Sequence, residues 1–443
     1  MSRTRLQLLI AFITIGLAVA TTSPAFGSDP YTVEKVALEG ETAPGAGGAT
    51  YAPIDSFTVD MNAGGDIAFG ATLSGPPPNW GVFVYSGGVG SARGLTGDAA
   101  PAPLTGSYLA FGYPHIDDTG DVSLGVLVSS GANALLLAGE SGDSVLVSDS
   151  DTAPGSGGTL AFSAGSLSFH ARGTGGAGVF QSPVTGGSNP SGVFVGTSSG
   201  VALEGNPSPA GGTYSSFSYP GGNSSGKVAF PATLSGATAA GGLFTDSGGG
   251  PVALALEGDL EPGGETFLDF LLPQVNASGA VFFIGTWAPL ENGQGGLYVD
   301  DFGGLHSMLR TDEPMPETGG ATIASMTGLP HFSDGGRITF SATLSGGDFD
   351  AGVFVMESNG SVRVVARHGD PVPGTVSDTF TGFGHAAGND VGQVAFAGMT
   401  STSGTGVFLA TAPASPVPSA SAAARALIAG LVLLVGGQLV RIK

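Results

Sequence analysis

Short stretches of alternating apolar and polar residues recur along the chain, and each follows a turn that begins with Asn and has Gly three positions later. The clearest copy runs from Asn223 to Phe230. Asn can bond its own backbone two residues on, Gly suits the end of a turn, and the alternation is typical of a half-buried strand. The pattern therefore predicts turn–strand units in tandem. Similar segments span residues 62–69, 276–283, 333–340 and 389–396, with degenerate copies at 117–124 and 173–180.

Each unit has three further apolar segments that predict strands. A short aromatic segment such as 213–217 precedes the Asn turn, a Gly-Val-Phe-like segment follows it, and a Val-Ala-Leu-like segment such as 201–203 ends the unit. The units are therefore predicted to be four-stranded. The third strand has an aromatic residue at one position in every unit except the second: Phe83, Leu136, Phe194, Phe244, Tyr298, Phe354 and Phe408.

A turn separates the units. It has a residue that is acidic in most units, and proline follows three positions later. Its spacing of 53 to 57 residues is typical of a repeat architecture. The two ends of the array complement each other, because residues 33–39 supply only a fourth strand and residues 380–409 only the first three. The seven prolines are Pro44, Pro101, Pro154, Pro209, Pro262, Pro316 and Pro373.

Joining the two incomplete ends would complete one blade, which is how a circular array closes and removes its sheet edges. We therefore predict an all-β fold, a seven-bladed β-propeller of four-stranded repeats of about 55 residues. Its last blade is closed by the N-terminal strand. A linear β-solenoid is the alternative, although solenoid repeats are usually shorter and need no split unit.

Composition agrees with many strands and tight turns, and it excludes some functions. The chain has 443 residues with 79 Gly and 29 Pro. Cys is absent from the sequence, which excludes disulfides and a thiolate nucleophile. Five of the 13 basic residues lie in the end segments, which leaves eight against 35 acids. No basic patch is therefore available for nucleic acid, whereas cations are permitted.

The two ends of the chain predict export and anchoring. Residues 1–27 combine a basic start, an apolar stretch and an Ala-Phe-Gly cleavage site, as in a secretory signal peptide. After a propeller domain at residues 28–411, a Pro/Ser/Ala linker at 412–423 leads to a transmembrane segment at 424–443. The basic tip of this segment favours the cytoplasmic side. We therefore expect the propeller at the cell surface, anchored in the envelope or released after processing.

The tandem Asn-x-x-Gly-x-x-Ala-Phe segments, placed between a signal peptide and an anchor, resemble the bacterial choice-of-anchor NxxGxxAF tandem-repeat proteins. This resemblance covers roughly residues 33–410. The tail resembles PEP-CTERM-like sorting signals through Val417-Pro418 and the apolar core from Leu427 to Leu434, although Pro-Glu-Pro is absent. Arg441 and Lys443 supply the basic tip. The resemblance implies an exported, surface-associated protein and brings no catalytic residues with it.

The acidic column three residues before each proline is the sharpest candidate site. Oxygen ligands on one rim of a propeller can bind Ca²⁺. The alternative is that these side chains shape their turns, since one acid per blade falls short of a shell of six to eight oxygens. Residues 117–121 also suggest a calcium loop, but they coincide with the repeat turn. The candidate Ca²⁺ ligands are Glu41, Asp98, Asp151, Asp259, Glu313 and Asp370, and the fourth unit has Asn206 instead.

The histidines show no spacing typical of a metal site. His115 and His331 share one repeat position, which favours a structural role over joint action in the central channel. The full set is His115, His170, His306, His331, His368 and His385.

Serine and tryptophan give weaker signals. Gly-x-Ser-x-Gly at 196–200 and 222–226 leads into strands, whereas a nucleophile elbow leads into a helix.

Trp80 and Trp287 are expected in the loop between the second and third strands of their units. Packing is favoured there over stacking on a sugar.

A non-enzymatic structural or binding module, for adhesion or an exopolysaccharide matrix, fits these observations best, with a surface glycan or protein as partner. The alternative is a secreted glycan-active enzyme, a lyase or hydrolase, with its site at the channel mouth. A repeated column usually builds the fold, so we expect function where the repeat fails, around units two and three.

Overall fold

Strands account for all the regular secondary structure in the described residues of the computed structural model. Those residues are 30–413, except for 57, 162–170, 173–177 and 290–292. Residues Thr32–Thr411 form one compact unit. The second unit, Met1–Tyr31 with Ala412–Lys443, includes the predicted signal peptide and anchor and lies almost wholly outside the described residues. No helix in the described part is long and apolar enough to cross a membrane.

The strands fall into seven sheets, which follow the predicted units. The chain begins with β1 (Thr32–Leu38). Blade 1 contains β2 (Thr50–Ile54), β3 (Asp60–Met61), β4 (Ile67–Ser74), β5 (Trp80–Ser86) and β6 (Val89–Leu95). Blade 2 contains β7 (Tyr108–Phe111), β8 (His115–Ile116), β9 (Val122–Val128), β10 (Asn133–Gly139) and β11 (Gly142–Ser148). Blade 3 contains β12 (Thr159–Leu160), β13 (Ala171–Arg172), β14 (Gly178–Thr185), β15 (Ser191–Val195) and β16 (Ser199–Leu203).

The remaining four blades follow the same order. Blade 4 contains β17 (Thr213–Phe217), β18 (Gly221–Gly222), β19 (Val228–Ser235), β20 (Gly241–Asp246) and β21 (Val252–Leu256). Blade 5 contains β22 (Asp269–Val275), β23 (Val281–Thr286), β24 (Gly295–Asp301) and β25 (Gly304–Arg310). Blade 6 contains β26 (Thr322–Met326), β27 (His331–Phe332), β28 (Ile338–Ser345), β29 (Ala351–Met356) and β30 (Val362–Arg367). Blade 7 contains β31 (Phe380–Gly388), β32 (Gln393–Thr400) and β33 (Thr405–Thr411).

Each blade is a four-stranded antiparallel meander, as predicted. In blades 1, 2, 3, 4 and 6 the inner strand is split, and its short second half (β3, β8, β13, β18 or β27) pairs with the same neighbour as the first half. In blades 5 and 7 the inner strand is continuous but carries a bulge. The inner strand thus changes direction where it faces the axis. The seven-bladed β-propeller is confirmed.

The N-terminal strand closes the ring, also as predicted. Blade 7 has the order β1-β33-β32-β31. Thr32 pairs with Thr411 at one end of the β1–β33 ladder, and Leu38 pairs with Gly406 at the other. The outer strand of the last blade therefore comes from the other end of the compact unit.

The core of each blade is built on one cross-strand pair between its second and third strands. In six blades both partners are aromatic, and in blade 2 they are Leu124 and Leu136. The ring centroids of the aromatic pairs lie 5.3 to 5.9 Å apart, within the range of favourable ring packing. These side chains are fully buried, which explains why the pattern recurs. The aromatic pairs are Phe69–Phe83, Phe180–Phe194, Phe230–Phe244, Phe283–Tyr298, Phe340–Phe354 and Phe396–Phe408.

In the four blades that have it, the Asn of the repeat donates a hydrogen bond to the next blade. Asn223 is buried, and its Oδ1 accepts the backbone N–H of Ser225 at 3.1 Å and of Lys227 at 3.0 Å. Its Nδ2 donates to the carbonyl of Asn276 in the following blade at 2.7 Å. Asn389 of blade 7 reaches the carbonyl of Ala63 in blade 1 at 3.4 Å. The predicted turn role is therefore confirmed, and a contact between blades is added to it.

Candidate functional site

A cavity of about 320 Å³ lies on the propeller axis. Its walls come from equivalent positions on the inner strands of blades 1, 2, 4, 5, 6 and 7. Since equivalent positions of blades around a ring meet only near its axis, this cavity is part of the central channel. Its volume lies within the range of small-ligand pockets.

The residues that line this cavity break the repeat. Two columns of residues face the axis. Counted back from the Asn position of the repeat, one lies two residues earlier and the other four residues earlier. The nearer column holds an acid, imidazoles, an amide and a glycine, and the farther column mixes aromatic, aliphatic and polar side chains. Side-chain chemistry therefore varies between blades here. The nearer column is Asp60, His115, Gly221, Gln274 and His331, and the farther one is Thr58, Tyr113, Tyr219, Leu272, Leu329 and His385.

Asp60 is the centre of a polar cluster in this cavity. Its carboxylate is only 14% exposed, and its Oδ2 accepts the backbone N–H of Ile116 at 2.9 Å. The same oxygen lies 3.6 Å from Nδ1 of His115, and Oδ1 lies 3.9 Å from Nε2 of His331. Burial alone would raise the pKa of Asp60, but the contact with the His115 imidazole and the N–H of Ile116 hold it below its ordinary value. Asp60 is therefore ionised at neutral pH.

Two histidines of the cluster are neutral at pH 7. Burial lowers the pKa of His331, and the backbone N–H of Gly388 donates to its Nδ1 at 3.4 Å, which leaves the ring proton on Nε2. Burial also lowers the pKa of His385 to about 4, against the attraction of Asp60. Nδ1 of His385 is buried and has no hydrogen-bond partner among the described residues. Neither of these two imidazoles therefore neutralises the charge of Asp60.

The backbone of the cavity wall is strained at one point. Leu272 has a φ of 49°, within the left-handed region that a branched, non-glycine residue rarely adopts. It lies in the bulge of β22, between the pairs of Leu271 and Gln274. Such strain persists only where the surrounding structure enforces it, and it is concentrated at functional sites.

A second cavity continues the channel towards the Asn turns. It shares Ile116, Val275 and His331 with the first cavity, so the two adjoin. Its rim includes Asp118, whose carboxylate accepts the backbone N–H of Ala63 from the neighbouring blade at 3.0 Å. The mouth on this side is therefore acidic. The other carboxylates of this rim are Asp117, Asp334 and Asp390.

Residues 11–295 and 287–411 match a family of unknown function, DUF7453. The chain belongs to this family. No curated protein matches it significantly.

Two solved structures show distant similarity. One is a puromycin-hydrolysing peptidase of Mycobacterium tuberculosis, with 12% identity and a TM-score of 0.46 over 82% of this chain and 53% of that one. The other is PorZ, a surface component of the type-IX secretion system of Porphyromonas gingivalis, with 11% identity and a TM-score of 0.43 over 86% and 48%. This chain spans about half the length of each, and no function is transferred from either.

The predicted calcium column lies elsewhere, in the turns between blades, and most of its carboxylates are used by their own turns. Five of them accept the backbone N–H of the residue three positions earlier, at 2.7 to 3.2 Å. Glu313 instead lies 3.7 Å from Nε of Arg310, and Asn206 accepts from Asn189 at 3.2 Å. Within the described residues, no three His, Cys, Asp or Glu side chains are arranged to hold a metal ion. The five turn-capping acids are Glu41, Asp98, Asp151, Asp259 and Asp370.

The structure separates five of the six histidines into two groups. His115, His331 and His385 surround Asp60 in the axial cavity, and their joint action there stays a prediction. His306 pairs with Asp301 at 3.2 Å and His368 with Asp350 at 2.5 Å, both at the surface. His170 lies outside the described residues.

The remaining candidates have structural explanations. Trp80 is the first residue of β5 and not part of a loop, which corrects the prediction, and its ring stacks on Phe111 at 5.3 Å. Trp287 does lie in a loop, and the Arg310 guanidinium is 4.1 Å from its ring centroid. The Gly-x-Ser-x-Gly segments form hairpin turns, and Asp117 closes its own turn by accepting the N–H of Asp121 at 2.9 Å.

Sequence reasoning missed Asp60. A signal was present, because aligning the units on Asn62 and its equivalents shows that the column two residues earlier varies between blades and has a carboxylate only at Asp60. The cavity side chains that depart from the repeat come from blades 1, 2, 4, 5, 6 and 7, and the expectation that function lies around units two and three stays a prediction. Residues 162–170 of blade 3 lie outside the described part.

Proposed function

We propose that this chain is an exported, surface-anchored binding protein whose ligand site is the axial cavity. The observation that carries the proposal is the break in the repeat at the axis, where Asp60, the histidines and Tyr113 and Tyr219 line one cavity. The repeated residues are used by the fold, since the Phe pairs form the core and the turn acids cap their own backbone. Non-repeated polar residues in a cavity of ligand size are the default sign of a binding site.

Export and anchoring rest on the sequence of the two ends and on the resemblance to choice-of-anchor and PEP-CTERM-like proteins. We expect deletion of residues 413–443 to release the protein into the medium. Retention of the truncated protein in the envelope would contradict the anchoring.

The binding proposal is tested with a panel of surface glycans and envelope proteins, using the full-length chain. We expect a ligand that raises the melting temperature of the native protein and fails to raise that of Asp60→Asn. Glu34→Gln removes one exposed acid on β1 and serves as the control for net charge. Equal responses of all three proteins to every ligand would place binding outside the cavity.

A glycan-active enzyme is the second candidate, and the Asp60–histidine contacts favour it. A glycoside hydrolase normally needs two carboxylates about 5–10 Å apart, but Asp60 is the only carboxylate among the described residues of the first cavity. A lyase, which removes a proton from the sugar, could instead use a neutral imidazole such as His385 as its base. The test is release of unsaturated sugar from polyuronic acids, followed by ultraviolet absorbance. Loss of that signal in Asp60→Asn and His385→Gln, with binding retained, would favour the enzyme.

A further inference from the structure

We propose that the axial cavity binds the ammonium end of an aliphatic amine, with Asp60 as its counter-ion. This inference rests on the proposed function of the cavity as a ligand site and specifies the chemistry of the ligand. The ammonium group could belong to a free amine or to a lysine side chain of a partner protein.

The charges along the channel favour a cation. Asp60 is ionised, and no Lys or Arg is among the described residues that line the first cavity. Asp334 and Asp390 on the adjoining rim add further negative charge. A channel lined by charge of one sign concentrates ligands of the opposite sign. The same charges disfavour anionic ligands, including the polyuronic acids of the lyase alternative.

The hydrogen-bonding groups favour an ammonium over a metal ion. Oδ2 of Asp60 already accepts the N–H of Ile116, whereas the distance from Oδ1 to His331 is beyond a hydrogen bond. An ammonium group has three donors and can use such an acceptor together with a neutral imidazole nitrogen. A metal ion needs several ligands at fixed geometry, and the described residues offer no group of three.

The rest of the wall suits a short hydrocarbon chain. Pro273, Leu329 and Pro330 supply apolar surface around the polar cluster. Tyr113 and Tyr219 line the same cavity, and phenol rings attract ammonium groups through their faces. A volume of about 320 Å³ accommodates an amine of a few carbons. Only one terminal sugar of an oligosaccharide would fit in this volume.

The experiment is calorimetric titration of the full-length protein with n-pentylamine at pH 7.5 and low salt. The matched neutral probe is n-pentanol, and Nα-acetyl-lysine amide tests the lysine source. We expect both amines to bind and the alcohol not to bind. Asp60→Asn should weaken amine binding about 10- to 100-fold, as expected for loss of a charged hydrogen-bond partner, while Glu34→Gln leaves it unchanged. If pentylamine binds and the lysine amide does not, the source is a free amine.

A second variant guards against misfolding of Asp60→Asn. Leu329→Lys supplies an ammonium within the cavity and should abolish pentylamine binding while keeping Asp60. Binding that is equal in the native protein and in both cavity variants would overturn the inference, as would absence of amine binding. If amines fail but a glycan binds in an Asp60-dependent way, the ammonium inference is wrong and the proposed function stands.

Discussion

Asn223→Asp tests whether the Asn column holds neighbouring blades together. The substitution keeps an oxygen for the N–H groups of Ser225 and Lys227. It replaces the amide N–H that donates to the Asn276 carbonyl at 2.7 Å with a second oxygen. At neutral pH, a buried carboxylate would therefore face a carbonyl oxygen that has lost its donor.

The expected cost follows from these contacts. Asn223 is only 6% exposed, so water cannot readily replace the lost bond. A buried polar group left without its partner costs about 1–3 kcal/mol, and more when charge is involved. We therefore expect the free energy of unfolding to fall by about 3 kcal/mol at pH 7. The loss should shrink at pH 5, because burial raises the pKa of the new carboxyl and its protonated form can donate again.

The assay is urea unfolding followed by tryptophan fluorescence, with a lower midpoint at an unchanged slope as the expected result. Asn359→Asp is the matched control, because Asn359 also accepts the N–H of the residue two positions on, at 3.0 Å, but is exposed. A loss for Asn223→Asp no larger than for Asn359→Asp would refute the reasoning. So would a loss that is the same at pH 7 and pH 5.

Three further predictions concern charged groups. Glu261→Gln removes the buried carboxylate that pairs with Arg310, which keeps only the more exposed carboxylates of Asp312 and Glu313, and should lower the free energy of unfolding by about 1–3 kcal/mol in the same urea assay; an unchanged midpoint would contradict this. His331 and His385 have lowered pKa values in the folded protein, so as the pH falls the unfolded chain binds protons at a higher pH than the folded chain does. The free energy of unfolding should therefore fall as pH drops from about 6.5 to about 4. His385→Gln should flatten that fall, which is at most about 1.4 kcal/mol per pH unit for each group. Since the turn acids cap their own backbone, melting temperatures in Ca²⁺ and in EDTA should agree, and a Ca²⁺-dependent rise that is lost in Asp98→Asn would instead show a rim site.

The fold could be predicted because its determinants are local and repeated. The Asn turn, the alternating strand and the Phe of the third strand are local patterns that recur along the chain. Each unit therefore gives separate evidence for the same strand order. The split blade followed from counting strands at the ends of the array. The bulges and split inner strands could not be predicted in this way, since they depend on how the strands meet near the axis.

The candidate site could be predicted only in part because it is assembled from different blades. His115 and His331 could be aligned with each other, but their shared contact with Asp60 joins residues 55 and 271 positions apart in the chain. His385 occupies another column and lies in the bulge of β31, between the pairs of Phe383 and Ala386. The acidic turn column is regular because the same turn recurs between blades. In most of these turns the acidic side chain caps a backbone N–H of its own turn.

The closure of blade 7 also determines how the protein resists a mechanical load. β33 ends at Thr411, next to the predicted linker, and it is an interior strand held between β1 and β32. A pull on that end must shear two ladders at once, whereas a pull on the N-terminal end would peel β1 from a single ladder. A propeller tethered through Thr411 is therefore attached at the stronger of its two ends.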